Sequence, residues 1–153
     1  MAKGTIYKYF KSKNQIYLEI LIQNEKRLLD ISINYNKDIQ MFLSNFMLYH
    51  LNNSYRTIKL HTIEEQITSQ ERKLNPLFDE LYSIREKRIV EMKDITAEHL
   101  KRVGSVFSVR DYFSYIWSIT YGVALLISSN SCKHARGDKE KLINFYIDQV
   151  INI

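Results

Sequence analysis

The chain has 153 residues, 45% of them hydrophobic and 25% charged, which is typical of one globular domain and excludes a disordered chain. One proline and four glycines favour long helices over many short strands. The single Cys132 excludes an internal disulfide, which fits a reducing cytoplasm. We also expect no secretory signal, because the N-terminus has no apolar run followed by a small-residue cleavage site.

Positive charge is concentrated at the start of the chain. Of the formal net charge of +5, four lysines supply +4 before the first acidic residue, Glu19. These lysines are Lys3, Lys8, Lys11 and Lys13. Aromatic residues interleaved with the lysines favour contact with nucleic acid, whereas composition alone fits a solvated basic helix equally well.

The opening segment, KGTIYKYFKSK, has two distinct faces if it is helical. Ile6 and Phe10 are four residues apart and share a face that can pack inward. Thr5 and Tyr9 share another face, which is polar enough to meet a phosphate backbone and base edges. Lys13 falls in the first turn of the next helix, where free backbone N–H groups add affinity for anions.

Capping signals predict the first two helices of the body. Ser12 and Gln15 form a capping-box pattern, so we expect a helix from about Lys13 to about Ser32. Asn36 is expected to cap the helix that follows.

Similar signals predict the middle of the chain. A short helix is expected over residues 55–67, after the break at Asn53 and Ser54. Asn75 and Pro76 are typical of a helix start, and Gly104 is expected to end that long helix.

The last third of the chain is predicted to hold two more helices. Ser108 with Asp111 caps the first of them, and Gly137 with Asp138 starts the second. No segment shows sustained strand alternation. The sequence therefore predicts an all-α fold of about six or seven helices.

Residues 112–132 carry no charge over 21 positions, which is the length of a membrane-spanning helix. Five serines and Thr120 make this stretch too polar for the hydrocarbon core. We expect instead a buried helix that contacts a partner on several sides, and no membrane association.

Catalytic and metal-binding signatures are missing from the sequence. There is no glycine-rich phosphate loop, and the four histidines lack the spacing of a metal site: His50, His61, His99 and His134. Glu64, Glu65 and Glu80 are interpreted as parts of solvated charged faces, since their helices are rich in lysine and arginine. We expect neither an enzyme nor a bound cofactor or metal.

The segment AKGTIYKYFKSKNQIYLEIL, residues 2–21, closely resembles the signature of the tetracycline-repressor (TetR) family of transcription regulators. In that family it covers the recognition helix of a helix-turn-helix and the start of the helix that leads to the ligand domain. The resemblance implies the following DNA contacts, of which the last grips a phosphate: Lys3, Gly4, Thr5, Tyr7, Tyr9 and Lys13. Ile6 and Phe10 match core positions of the family.

The rest of the chain resembles the family in pattern only. NPLFDELYSIREKRIVEMKDI looks like its long pocket helix, and GSVFSVRDYF looks like the junction leading to its eighth helix. The resemblance implies that residues 1–11 are part of a DNA-binding domain and 12–153 a helical ligand-binding and dimerisation domain. The implied function is a ligand-responsive repressor that binds a palindromic operator in double-stranded DNA as a homodimer through its last two helices.

One departure from the family concerns the DNA-binding unit. Family members have two supporting helices before the Lys-Gly-Thr core of this signature, whereas only Met1 and Ala2 precede Lys3 here. A short isolated helix is marginal in water, so we expect the 153-residue chain as written to bind DNA poorly.

A small-molecule effector is the second partner that the resemblance implies. Polar or aromatic residues on helices expected to face inward are the pocket candidates: His61, Tyr82, Tyr115, Trp117 and Tyr121. Their aromatic rings suit a flat or cationic ligand. The alternative is that these rings fill the core or a dimer interface.

Two other functions compete with the repressor. The chain could be a ligand-binding and dimerisation module without DNA-binding activity, which the nucleotide sequence upstream of the Met1 codon would reveal. A basic anchor on a membrane surface would instead predict liposome binding by the first 20 residues.

Overall fold

The computed structural model describes residues 12–68, 75–130 and 138–152. Within these ranges there are six α-helices and no strand, which confirms the all-α prediction. The helices are α1 (Lys13–Asn34), α2 (Ile39–Leu51), α3 (Ser54–Thr68), α4 (Asn75–Arg102), α5 (Val109–Ser128) and α6 (Lys139–Ile151). Five of the six predicted DNA-binding residues lie outside the described ranges: Lys3, Gly4, Thr5, Tyr7 and Tyr9.

Most of the predicted helix boundaries are confirmed by their capping contacts. The Ser12 hydroxyl accepts a hydrogen bond from the Gln15 N–H at 3.2 Å, at the start of α1. The Ser108 hydroxyl accepts from the Asp111 N–H at 3.1 Å, and the Asp111 carboxylate accepts from the Ser108 N–H at 3.3 Å. This reciprocal pair is a complete capping box at the start of α5. Asp138 caps α6.

The end of α4 depends on a glycine. Gly104 follows the helix with a φ of 70°, in the left-handed region that glycine adopts without a Cβ clash. Its position agrees with the predicted end of the long helix.

The predicted cap of α2 is wrong by two residues. The Asp38 carboxylate caps this helix by accepting from the Met41 N–H at 3.1 Å. The Asn36 side chain instead donates to Glu91 of α4 at 3.2 Å, so its amide is used in a tertiary contact. The sequence does not distinguish Asn36 from Asp38 as the cap, because asparagine and aspartate are nearly equal in that role.

The helices pack around two hydrophobic clusters. The larger core, built mainly by α2, α5 and α6, includes Leu43, Met47, Leu51, Met92 and Ile116. The smaller core joins the first half of α1 to the end of α3 and the start of α4 through Leu18, Leu21, Ile22, Ile67, Phe78, Leu81 and Ile84. The most extensive packing between two helices is that of α1 against α4, which contribute to both cores.

Charged side chains separate the two cores. On α1, Glu25 lies between Ile22 of the smaller core and Leu28 of the larger one. On α4, Arg85 and Arg88 lie between Ile84 of the smaller core and Met92 of the larger one. Glu64 of α3 pairs with Arg85, and we call Glu25, Glu64, Arg85 and Arg88 the polar layer.

None of the helices in the described ranges is long and apolar enough to cross a membrane. Residues 112–128 of the uncharged stretch lie in α5, which packs against α2, α3, α4 and α6. Its buried face includes Tyr112, Ile116 and Val123.

Candidate functional site

A cavity of about 370 Å³ lies beside the polar layer, with walls from α1, α2, α3, α4 and α5. Its volume is within the usual range of small-molecule sites. Four of its lining residues are large aromatics: Phe42, Phe46, Phe113 and Trp117. Leu28 and Met92 of the larger core and Leu21 of the smaller core also line it, so the cavity spans the boundary between the cores.

The polar layer forms a connected set of ion pairs at the wall of this cavity. Glu25 accepts from Arg85 Nε at 2.9 Å and from Arg88 Nη1 at 2.6 Å. Arg85 Nη1 donates to Glu64 Oε2 at 2.9 Å, and Arg85 Nη2 donates to Glu64 Oε1. Burial alone would lower the pKa of Arg85, but its hydrogen bonds and charge interactions with Glu64 and Glu25 raise that pKa overall. Two carboxylates and two guanidinium groups leave the layer with no net charge.

His50 of α2 lines the same cavity and has a defined tautomer. The Thr57 hydroxyl donates its only hydrogen to the His50 carbonyl oxygen at 3.1 Å. The 3.1 Å contact between His50 Nδ1 and Thr57 Oγ1 therefore requires Nδ1 to donate. Burial, with a smaller contribution from Arg88, lowers the pKa of His50 to about 3, so the imidazole is neutral at pH 7 and Nε2 is an acceptor.

Two polar atoms of the cavity residues lack a partner. Within residues 12–68, 75–130 and 138–152, His50 Nε2 and Arg88 Nε are buried and make no hydrogen bond. The first is an acceptor and the second a donor. Both side chains pack against Phe46: the His50 ring centroid lies 4.7 Å from that of Phe46, and Arg88 Cζ lies 5.7 Å from it.

Two of the predicted pocket residues line the cavity, namely His61 and Trp117. Tyr121 packs beside them, with its ring centroid 4.8 Å from that of His61 and 5.6 Å from that of Trp117, but is not a lining residue. Tyr82 and Tyr115 are 43% and 37% exposed and do not line it. Of the five candidates, the fold thus brings three together.

The sequence patterns did not predict the polar layer or a role for His50. The interpretation of Glu64 as part of a solvated face is wrong, because its side chain is only 14% exposed and pairs with Arg85. Glu25 carried a usable signal, since it occupies the core-facing register of α1 between Leu21 and Leu28. A carboxylate in that register requires a buried partner from elsewhere in the fold.

Lys13 is the one predicted DNA-binding residue within the described ranges. It is the first residue of α1 and is exposed to solvent, with Nζ 5.5 Å from the centroid of the Tyr17 ring. Its contact with DNA stays a prediction.

Metal ligation is not supported by the part of the chain that the structure describes. No group of three or more histidine, cysteine, aspartate or glutamate side chains comes together there in a way that could hold a metal ion. The chemistry of the cavity is therefore that of its aromatic walls, its ion pairs and its two unpartnered atoms.

No protein-family model and no curated protein matches this chain. The resemblance of residues 2–21 to the TetR signature stays a prediction.

Proposed function

We propose that the protein is a ligand-responsive transcriptional regulator of the TetR type. In this proposal it is a repressor that binds a palindromic operator as a homodimer and releases it when a small molecule enters the cavity. The observation that carries the proposal is the position of α1, which begins at Lys13, the last residue of the opening segment KGTIYKYFKSK, and lines the cavity through Leu21, Asn24, Glu25 and Leu28. One helix thus connects the predicted DNA-reading segment to the cavity.

The two cores suggest how a ligand acts on that helix. The first half of α1 belongs to the smaller core, and its later residue Leu28 belongs to the larger core. A ligand that binds better to one arrangement of the cavity walls shifts the equilibrium towards that arrangement. We infer that effector binding changes the position of α1 relative to α4 at the polar layer.

The geometry of DNA sets how this change alters binding. Two recognition helices of a dimer enter successive major grooves about 34–36 Å apart. A small rotation of α1 in each protomer changes this spacing and weakens binding to the operator.

Exposed apolar side chains on α5 and α6 support dimerisation through these two helices. Tyr115, Ser118, Gly122 and Leu125 are exposed and fall at helical spacing on one face of α5. Leu126 of α5 and Phe145 of α6 are 43% and 53% exposed. Large apolar side chains at this exposure on adjoining helices are typical of an interface between subunits.

Each part of the chain has its own role in the proposed regulator. Residues 1–11 with Lys13 contact DNA, and residues 12–153 provide the cavity and the dimer surface. Lys3 and Lys13 supply phosphate contacts that set affinity, whereas Thr5, Tyr7 and Tyr9 help to select the sequence.

Selection from a library of random DNA duplexes tests the proposal. The protein is expressed from its gene together with any in-frame coding sequence upstream of the Met1 codon. We expect enrichment of a palindrome whose half-sites are about one helical turn apart. Enrichment of no sequence, with binding that is equal for all duplexes, would contradict the proposal and favour a module without DNA-binding activity.

A further inference from the structure

We propose that the cavity binds an uncharged, flat aromatic molecule whose single polar group both donates and accepts a hydrogen bond, as a phenolic hydroxyl does. The inference rests on the proposed function, because it names the chemical class of the effector. It is carried by three features of the cavity: its charge balance, its two unpartnered polar atoms and its aromatic walls.

The charge balance of the cavity favours a neutral ligand. The charged residues among those that line it are Glu25, Glu64, Arg85 and Arg88, whose formal charges cancel. Each carboxylate already accepts two guanidinium hydrogen bonds: Glu25 accepts one from Arg85 and one from Arg88, and Glu64 accepts both from Arg85. A cationic ligand would find no free carboxylate, and an anionic ligand would compete with Glu25 for Arg88.

The two unpartnered atoms define the polar group of the ligand. Within the described ranges, His50 Nε2 requires a donor and Arg88 Nε requires an acceptor. Both residues line the cavity and pack against Phe46, so one ligand hydroxyl that displaces the atoms covering His50 Nε2 and Arg88 Nε would donate to the first and accept from the second. A buried polar atom without a partner is unfavourable, and a ligand that satisfies both atoms gains affinity by removing that penalty.

The aromatic walls define the rest of the ligand. Trp117 lies between the two histidines, with its ring centroid 5.2 Å from that of His50 and 6.2 Å from that of His61. Phe42, Phe46 and Phe113 form another aromatic group on the wall, with centroids 5.7 Å apart for the first two and 6.3 Å apart for Phe42 and Phe113. Flat rings make favourable stacked or edge contacts with such side chains.

Four naphthalene-sized probes that differ in their polar groups test the proposal. 2-Naphthol donates and accepts, 2-methoxynaphthalene only accepts, 2-naphthoate is an anion and N-methylquinolinium is a cation. Affinities are measured by isothermal titration calorimetry at pH 7, where a phenolic hydroxyl is not ionised. Binding at the cavity is located by quenching of Trp117, the only tryptophan of the chain.

We expect 2-naphthol to bind about tenfold more tightly than 2-methoxynaphthalene, because one hydrogen bond to a buried acceptor is gained. It should also bind more tightly than either charged probe. His50→Phe keeps a ring of similar size but removes the acceptor, so the preference for 2-naphthol should be lost. His61→Phe is the matched control, since it makes the same change at another cavity histidine and should retain the preference.

Circular dichroism checks that each variant is helical. Should His50→Phe fail to fold, Arg88→Lys takes its place, because lysine keeps the charge beside Glu25 but lacks the Nε donor. In that folded variant 2-naphthol and 2-methoxynaphthalene should both bind more weakly, because both accept a hydrogen bond from Arg88 Nε. Unchanged affinity for the two probes would count against the proposal.

Four other results would overturn the proposal: equal affinity for the hydroxyl and methoxy probes, tighter binding of a charged probe, an unchanged preference in His50→Phe, or no binding of 2-naphthol. These results would leave the proposed function standing if the duplex selection still yields a palindrome. Failure of the selection with an intact 2-naphthol preference would instead contradict the regulator and leave the ligand class in place.

Discussion

Glu25 of α1 and Arg88 of α4 form a buried ion pair at the cavity wall, with 2.6 Å between Glu25 Oε2 and Arg88 Nη1. The Glu25 side chain is 7% exposed and its second oxygen accepts from Arg85. One carboxylate thus holds two arginines of α4 beside α1, across the most extensive helix interface of the structure. Any ligand that moves α1 relative to α4 changes these contacts.

Removal of the Glu25 charge should destabilise the protein strongly. Glu25→Gln leaves Arg88 without its counter-charge in a largely buried site, which is the costly way to break a buried pair. We expect the free energy of unfolding in urea to fall by about 3 kcal/mol.

The neighbouring residue provides a matched control for this change. Lys26 pairs with Glu80 at 3.8 Å, with side chains 50% and 46% exposed. Lys26→Gln should therefore lower the free energy of unfolding by less than about 0.5 kcal/mol. Equal effects of the two substitutions would show that the polar layer does not stabilise the contact of α1 with α4.

His50 should make stability depend on pH in a defined window. Its pKa is about 3 in the folded protein and near 6.5 when unfolded, so the unfolded chain binds an extra proton between these values. The contribution of neutral His50 to the unfolding free energy is fully present above pH 6.5 and is lost as the pH falls towards 3. Lowering the pH from 6.5 to 5 should therefore reduce the unfolding free energy by about 2 kcal/mol.

A variant that cannot titrate isolates this effect from the carboxylates. The difference in unfolding free energy between wild type and His50→Asn should become steadily less favourable to wild type as the pH falls from 6.5. A difference in unfolding free energy that stays constant with pH would mean that His50 has the same pKa in the folded and the unfolded protein.

The exposed face of α5 should govern the oligomeric state. Leu125 is 46% exposed, and Leu125→Lys places a charge on the proposed dimer surface. We expect wild type to sediment as a dimer at micromolar concentration and this variant as a monomer. Val106→Lys is the control, because Val106 is 97% exposed in the connection between α4 and α5. A monomeric wild type would contradict the proposed homodimer.

Gly104 should be required for the end of α4. A Cβ at this position meets no other atom within 4 Å, so the cost of Gly104→Ala comes from its positive φ alone. We expect a loss of about 1 kcal/mol in unfolding free energy. Gly104→Asn should cost less, since asparagine tolerates the left-handed region better. Equal losses of unfolding free energy in Gly104→Ala and Gly104→Asn would show that the positive φ is not the cause.

The boundaries of the helices were largely predictable because their signals are local. Ser12, Ser108 with Asp111, and Asp138 each satisfy backbone N–H groups within three residues of themselves. Asn36 was misassigned because its partner, Glu91, is 55 residues away. Capping patterns carry no information about contacts at that distance.

The cavity was predictable only in part for the same reason. Trp117 and His61 were identified because aromatic or polar residues on a core-facing helix are visible in the sequence. Arg85 meets Glu25 and Glu64 across separations of 60 and 21 residues, and charge on a helix does not reveal whether that face is buried. His50 gave no signal, since its tautomer depends on a contact with Thr57 of the next helix.

The proposed DNA contact of Lys13 can be tested by the salt dependence of binding to the selected palindromic duplex. Each neutralised phosphate contributes about 0.9 to the slope of log affinity against log salt concentration. Lys13→Ala in a dimer removes two such contacts, so the magnitude of the slope should fall by about 1.8. Lys26→Ala, at the exposed side of α1 more than three turns away, should leave the slope unchanged. An unchanged slope in Lys13→Ala, or binding without preference for the palindrome, would show that Lys13 does not contact operator DNA as proposed.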